Sequence, residues 1–87
     1  MSEIHQVTGS QIAAARALIR MSQADLAAAA AGVSVPTLGR METSEGPASG
    51  LRNNVLAVKR ALEAAGVVFM AEGELIAGGA GVRLKSA

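Results

Sequence analysis

The 87-residue chain contains no cysteine, tryptophan or tyrosine, one phenylalanine (Phe69), one histidine (His5) and two prolines. Without cysteine it can form neither a disulfide nor a thiolate metal site, and a lone histidine in a segment that reads as an N-terminal tail cannot build one either. No paired carboxylates stand at a catalytic spacing, and no glycine-rich loop joins a strand to a helix to hold phosphate. The expectation is a non-enzyme with no metal and no cofactor. One aromatic residue leaves no platform for base stacking, which argues against single-stranded nucleic acid and RNA-recognition sheets as partners. The start lacks a basic leader, and no apolar run approaches the ~18 residues that span a bilayer. These features predict a cytoplasmic protein without a membrane partner.

Charge is also sparse. Eight Lys or Arg oppose seven Asp or Glu, a net +1 that announces no polyanion on its own. The distribution is uneven: residues 9–60 hold six bases (Arg16, Arg20, Arg40, Arg52, Lys59, Arg60) against three acids (Asp25, Glu42, Glu45), so the middle is +3 and each end is −1. A chain this short buries only about 60–65% of the surface its unfolded form exposes, which allows one domain with a thin core.

What is present in abundance is alanine, nineteen residues, together with a helix-start signal that recurs three times. Thr8 followed by Gln11 forms a capping box, with Val7 and Ile12 placed to staple it, so a helix should begin at Gly9. Ser22 with Asp25, and Met21 with Leu26, repeat the pattern and start a second helix at Gln23, where the carboxylate also suits the positive helix end. Ser34 can cap Thr37, Val33 can staple Leu38, and Pro36 is tolerated in a first turn, so a third helix should begin at Val35. Gly32 can take the left-handed conformation that ends helix two, making the connection tight. The run Ala27 to Ala31 has two readings: a low-complexity helix, or a surface of small side chains that lets another helix come close. Leu26, Ala29 or Ala30, and Val33 point one way, towards Ile12, Ala15, Ile19 and Leu38.

Thr43 to Gly50 reads as a loop from its composition. Leu51, Val55, Val58 and Leu62 then recur at helical spacing up to Ala65, with Gly66 as the end cap. Asn53 and Asn54 serve either as caps of this helix or as phosphate ligands. Val67–Met70 and 82–85 are short β-type runs around a glycine-rich stretch, which predicts a hairpin. Two strands alone are marginal in water and need cover. Val67, Phe69, Val82 and Leu84 alternate onto one hairpin face and are the expected homodimer interface.

The run Ser22-Gln23-Ala-Asp-Leu26-Ala27, then Ala31-Gly32-Val33-Ser34, then Pro36-Thr37-Leu38-Gly-Arg40-Met41-Glu42, resembles the lambda-repressor-like, Xre-type helix-turn-helix family of bacterial regulators. The resemblance covers roughly residues 8–66, and the ending around Gly66-Val-Val-Phe69 and Gly81-Val-Arg-Leu-Lys85 is similar to small stand-alone members. It implies a mainly α fold: a four- to five-helix lambda-repressor-like domain with a short C-terminal β-hairpin, divided into a tail (1–7), the helix-turn-helix domain (8–66), and the hairpin and tail (67–87). It implies a recognition helix over about 35–42 in the major groove of duplex DNA. It also implies DNA contacts by Gln23, Ser34, Val35, Thr37 and Arg40, and a structural salt bridge between Arg16 and Glu42. Arg40 alone of these can read a guanine edge with two hydrogen bonds.

Each assignment has a plainer alternative. Arg40 is otherwise a solvated charge near a helix C-terminus, Gln23 a good first-turn helix former, and Val35 an extension of the apolar staple rather than a contact to a thymine methyl. The sequence departs from the family at three points. Four residues rather than three separate Ala27 from Gly32, Val35 and Gly39 replace polar readers, and Glu45 stands where a phosphate-binding base is common. One extra residue in an ideal helix would shift the residues beyond it by ~1.5 Å and rotate them by about 100°. It has to be absorbed, by a π-bulge within Ala27 to Ala31 or by an extended turn at Ala31-Gly32. Two functions remain: a small transcriptional regulator binding an inverted-repeat operator as a homodimer, or a helix-turn-helix-derived protein-binding module such as an anti-activator or antitoxin-like adaptor.

Overall fold

The computed structural model describes residues 6–71 and 78–85; His5, most of the proposed tail and most of the glycine-rich stretch lie outside them. Its four helices are α1 (Gly9–Leu18), α2 (Gln23–Ala29), α3 (Val35–Thr43) and α4 (Arg52–Ala64), followed by strands β1 (Val67–Met70) and β2 (Gly81–Leu84). The first three helices begin where their caps place them. Thr8 accepts from the Gln11 amide at 3.0 Å while the Gln11 Oε1 accepts from the Thr8 amide at 2.9 Å, and Ser22 and Ser34 accept from the amides of Asp25 and Thr37.

α4 differs from expectation at its start. Leu51 is its N-cap and makes no side-chain cap, and its own side chain is exposed instead of joining the apolar stripe. Asn53 and Asn54 lie inside the first turn and cap nothing. At the other end Gly66, with φ 101°, turns the chain directly into β1.

The strands pair antiparallel, Val67 with Leu84 through Met70 with Gly81. They rest on the helices through α1 against β2 and α4 against β1. The result is a small compact, mainly helical domain carrying one two-stranded sheet. Ile12, Ala15, Leu26, Leu38, Met41, Val58 and Leu62 are fully buried, and each of the larger ones contributes roughly 1.5–3 kcal/mol through burial. Val67 and Phe69 join this same core. That corrects the expected interface: the face formed by Val67, Phe69, Val82 and Leu84 is not left waiting for a partner. Its β1 half is buried within the chain, Val82 packs against the core, and Leu84 is the exposed member. Val7 also belongs to the core rather than to a tail, and its carbonyl accepts from Ala48.

One buried amide joins the two ends of the fold. Gln11, 3% exposed, donates from Nε2 to the carbonyls of Met70 (3.0 Å) and Gly81 (2.9 Å), the last pair of the hairpin. Its capping and its hairpin contacts together use both polar atoms of the side chain. The start of α1 also presses on the end of α3. A Cβ at Gly9 would collide with the Met41 carbonyl oxygen and lie 2.9 Å from that of Ser44, so position 9 has no room for a side chain.

α2 stays regular up to the turn. α2 ends regularly at Ala29, and the Ala30 amide still reaches the Leu26 carbonyl at 2.9 Å. Ala31 then takes φ 44° and Gly32 φ 82°, so two consecutive left-handed residues reverse the chain and no π-bulge is present. Val33 re-enters the core beneath Leu38, as the staple requires. A left-handed non-glycine costs roughly 1–2 kcal/mol, a strain that glycine would not carry.

Ala31→Gly should raise stability by up to about 1 kcal/mol, the relief of left-handed strain less the entropy lost by glycine; an equal loss, read from thermal melts, would place Ala31 in a helix. Gln11→Leu should lower stability by about 2–4 kcal/mol, since each buried group left unpaired costs about 1–3. Denaturant unfolding with a change below about 1 kcal/mol would mean the hairpin does not depend on that amide.

Candidate nucleic-acid interface

α3 has two faces with different chemistry. Leu38 and Met41 point inwards and are fully buried, and Gly39 is half-buried against α2, with only Gln23 Nε2 near a hypothetical Cβ, at 4.0 Å. The opposite face carries Ser34, Val35 and Arg40, all exposed, with Thr37 half-buried between them. Of the residues expected to contact DNA, Ser34, Thr37 and Arg40 are brought together by hydrogen bonds, and Val35 is exposed in the first turn of the same helix. Val35 is 41% exposed, so it does not extend the staple; Val33 fills the core instead.

This face is ordered by its own hydrogen bonds. Ser34 Oγ donates to Thr37 Oγ1 at 2.9 Å, and Arg40 Nη2 donates to the same oxygen at 3.3 Å. Thr37 thus holds the guanidinium along the helix towards its N-terminus, and the long distance marks a weak tether that a better acceptor can displace. At the other end Thr43 Oγ1 donates back to the Gly39 carbonyl, and Ser44 Oγ donates to the Met41 carbonyl at 2.6 Å. The last turn of α3 is therefore capped by the loop leading away from it. Ser49 continues this, its amide donating to Ser44 Oγ and its hydroxyl to the Arg40 carbonyl.

A three-residue polar cluster sets the orientation of α3. Arg16 on α1 donates from Nε to Glu42 Oε2 at 2.8 Å and from Nη2 to Glu42 Oε1 at 3.0 Å, a bidentate pair. Its Nη1 donates to the Met21 carbonyl at 3.0 Å, which fixes the chain between α1 and α2. Arg20, in the left-handed conformation at φ 56°, makes that bend. Gln23, expected as a DNA contact, donates from Nε2 to Glu42 Oε1 at 3.1 Å. One carboxylate therefore receives three hydrogen bonds and ties α1, α2 and α3 together. The Glu42 side chain is only 6% exposed and that of Arg16 24%. Hydrogen bonding to Glu42, helped by its Coulombic attraction and opposed by burial, raises the Arg16 pKa above its ordinary value, so the guanidinium stays charged.

Sequence reasoning placed Arg16 opposite Glu42 through the resemblance and missed the third member. Gln23 and Glu42 are nineteen positions apart across a turn, and no local signal joins them. Gln11 was legible as a cap, but its reach to the hairpin was not. Glu45 is exposed in the loop after α3, as a solvated acid. Among the described residues no three His, Cys, Asp or Glu side chains gather as metal ligands, and no helix is long and apolar enough to cross a membrane. No model of a known protein family matches the chain, and no curated protein does either.

The two ends of the ion pair should respond unequally. Arg16→Ala strands a nearly buried carboxylate with one neutral donor and should cost about 3 kcal/mol. Glu42→Ala leaves a guanidinium that is already a quarter exposed and can turn to solvent, so about 1–2 kcal/mol is expected. Chemical denaturation of both variants checks the order; equal losses would mean the pair is solvated on both sides.

Proposed function

We propose that the chain is a small helix-turn-helix regulator of the lambda-repressor-like type, acting in the cytoplasm, that binds duplex DNA with α3 in the major groove and pairs as a homodimer on an inverted repeat. The observation that carries this is the split character of α3. Its inner face is fixed by buried apolar side chains and the Glu42 cluster, while Ser34, Val35 and Arg40 are exposed and the half-buried Thr37 is bonded to both Ser34 and Arg40. A rigid exposed helix of this kind can bring a hydroxyl to a phosphate, a valine to a thymine methyl and a guanidinium to a guanine edge. The tight passage from α2 through Ala31-Gly32 to α3 has the length and the glycine that a helix-turn-helix needs, with one residue more in the turn. Gln23 serves in this reading chiefly to hold Glu42, with its Oε1 left over for a DNA donor.

The low charge favours a second reading as a protein-binding module. A net +1 and a reading face with one cation and an exposed valine would also suit a partner protein. The salt response separates the two, because each neutralised phosphate makes DNA affinity fall with salt. Selection from a random duplex library followed by gel shifts over a salt series should give a defined site whose affinity drops steeply as salt rises. Failure to enrich any duplex would leave the protein-binding reading.

On the selected site Arg40→Ala should weaken binding by ~1–3 kcal/mol and relax one base position, with an unchanged melting temperature because the side chain is exposed. Superimposable titrations of wild type and variant would remove Arg40 from the interface.

A further inference from the structure

A cleft of about 200 Å³ opens between α4 and the two chain segments that lie side by side before α1 and after α3. Its helical wall is Arg52, Val55, Leu56 and Lys59, a spacing that sets all four side chains on one face of α4. The core takes a different stripe of the same helix, with Val58 and Leu62 fully buried. The opposite wall comes from Gln6-Val7 and Pro47-Ala48. Main-chain contacts hold those two segments together: the Ala48 amide donates to the Val7 carbonyl at 2.9 Å, the Gly9 amide donates to the Gly46 carbonyl at 3.2 Å, and Thr8 bridges Pro47. Val7 belongs to the core and Val55 and Ala48 pack against it, so both walls are already in place before anything binds.

The charge in the cleft has one sign. Arg52 and Lys59 line it and no acid does. Arg52 is exposed and makes no ion pair among the described residues. Lys59 meets Glu63 at 3.9 Å, with the Glu63 side chain 46% exposed, a loose solvated pair that a second anion can displace. The two cations stand two helical turns apart, about 10 Å along the axis, and the half-buried Val55 and Leu56 lie between them. Along the cleft the order is therefore cation, apolar pair, cation. Its volume is below the ~300–1,000 Å³ of sites that take drug-sized molecules, which suits a small organic acid rather than a bulky cofactor.

We propose that this cleft binds a short aliphatic dicarboxylate, with one carboxylate on the Arg52 guanidinium, the other on the Lys59 ammonium, and the methylene chain against Val55 and Leu56. The occupant follows from the order of the wall. A guanidinium offers a planar fork to a carboxylate and an ammonium a point charge, while the apolar pair between them gains only from a ligand that covers it. A monoacid uses one cation, inorganic phosphate leaves the apolar wall in water, and a diol uses neither charge. None of Ser34, Val35, Thr37 and Arg40 lines the cleft, so the site stands whether or not the chain binds DNA, and its test contains none.

Suberate is the probe, titrated into the full chain and followed by amide chemical shifts, with octanoate, octanediol and inorganic phosphate as controls. Suberate should shift the amides of residues 47–59 saturably, and each control should bind at least about threefold more weakly. Arg52→Gln and Lys59→Gln should each weaken suberate binding by roughly threefold or more, and the double variant should bind it no better than wild type binds octanediol, with helical circular dichroism retained. The comparison of ligands is made on wild type and decides the case even where a variant does not fold. No saturable shift with suberate, equal binding of octanediol or phosphate, or a folded double variant that binds suberate as wild type does would each overturn the proposal.

Discussion

The amide of Gln11 is the joint on which this fold depends. Eighty-seven residues cannot supply a deep core, and the hairpin comes after α4 with only Ala65 and Gly66 between them. Apolar contact from Val67 and Phe69 pulls β1 onto the helices, but it does not by itself fix where the strands end. Gln11 does, because both carbonyls of the terminal pair are claimed by one nitrogen whose own oxygen is held by the start of α1. The same turn of α1 is jammed against the last turn of α3 at Gly9. The beginning of the first helix thus positions the end of the third and the mouth of the hairpin together.

From that end the order passes along α1 to Arg16. One and a half turns after Gln11 on the same helix, its guanidinium meets Glu42 and the Met21 carbonyl. The carboxylate of Glu42 is costly to bury alone, and it stays buried because Arg16 and Gln23 together supply three donors. α3 consequently has little freedom to rotate about its own axis: turning Ser34, Val35 and Arg40 elsewhere would break Glu42 from its donors and expose Leu38 and Met41. Orientation of the outer face is a consequence of what the inner face has to satisfy.

Local signals in the sequence were sufficient for every helix start that has a capping side chain, because a cap is a short-range hydrogen bond between neighbours. They failed at α4, where Leu51 offers no cap and the apolar period suggested that it belonged to the stripe. Period-two patterning showed which residues alternate on the hairpin but not what would cover them. Val67 and Phe69 find cover in the helical core with α4 against their strand, a tertiary fact that such patterning cannot carry. The candidate site was legible to the same degree: the exposed face of α3 comes from spacing within one helix, whereas the tie from Gln23 to Glu42 spans two helices and a turn.

The turn after α2 holds the residue that the resemblance counts as additional, outside the regular part of the helix. Inserted within α2, one residue would rotate Val33 away from the core and take Glu42 out of reach of both donors. Placed after the last regular residue of α2, it changes only the path of an exposed reversal, in which Ala31 adopts a left-handed φ beside Gly32. The strain there, of order 1–2 kcal/mol, is smaller than the cost of about 3 kcal/mol for stranding the Glu42 carboxylate without its donors. The balance of those two terms therefore favours a bent turn over a displaced α3. The hairpin lies beyond α1 and α4 from this turn, α1 packing on both α3 and β2 and α4 on both α2 and β1, so a change in the reversal reaches the strands only through these two helices, and on the α1 side Gln11 and Gly9 resist it.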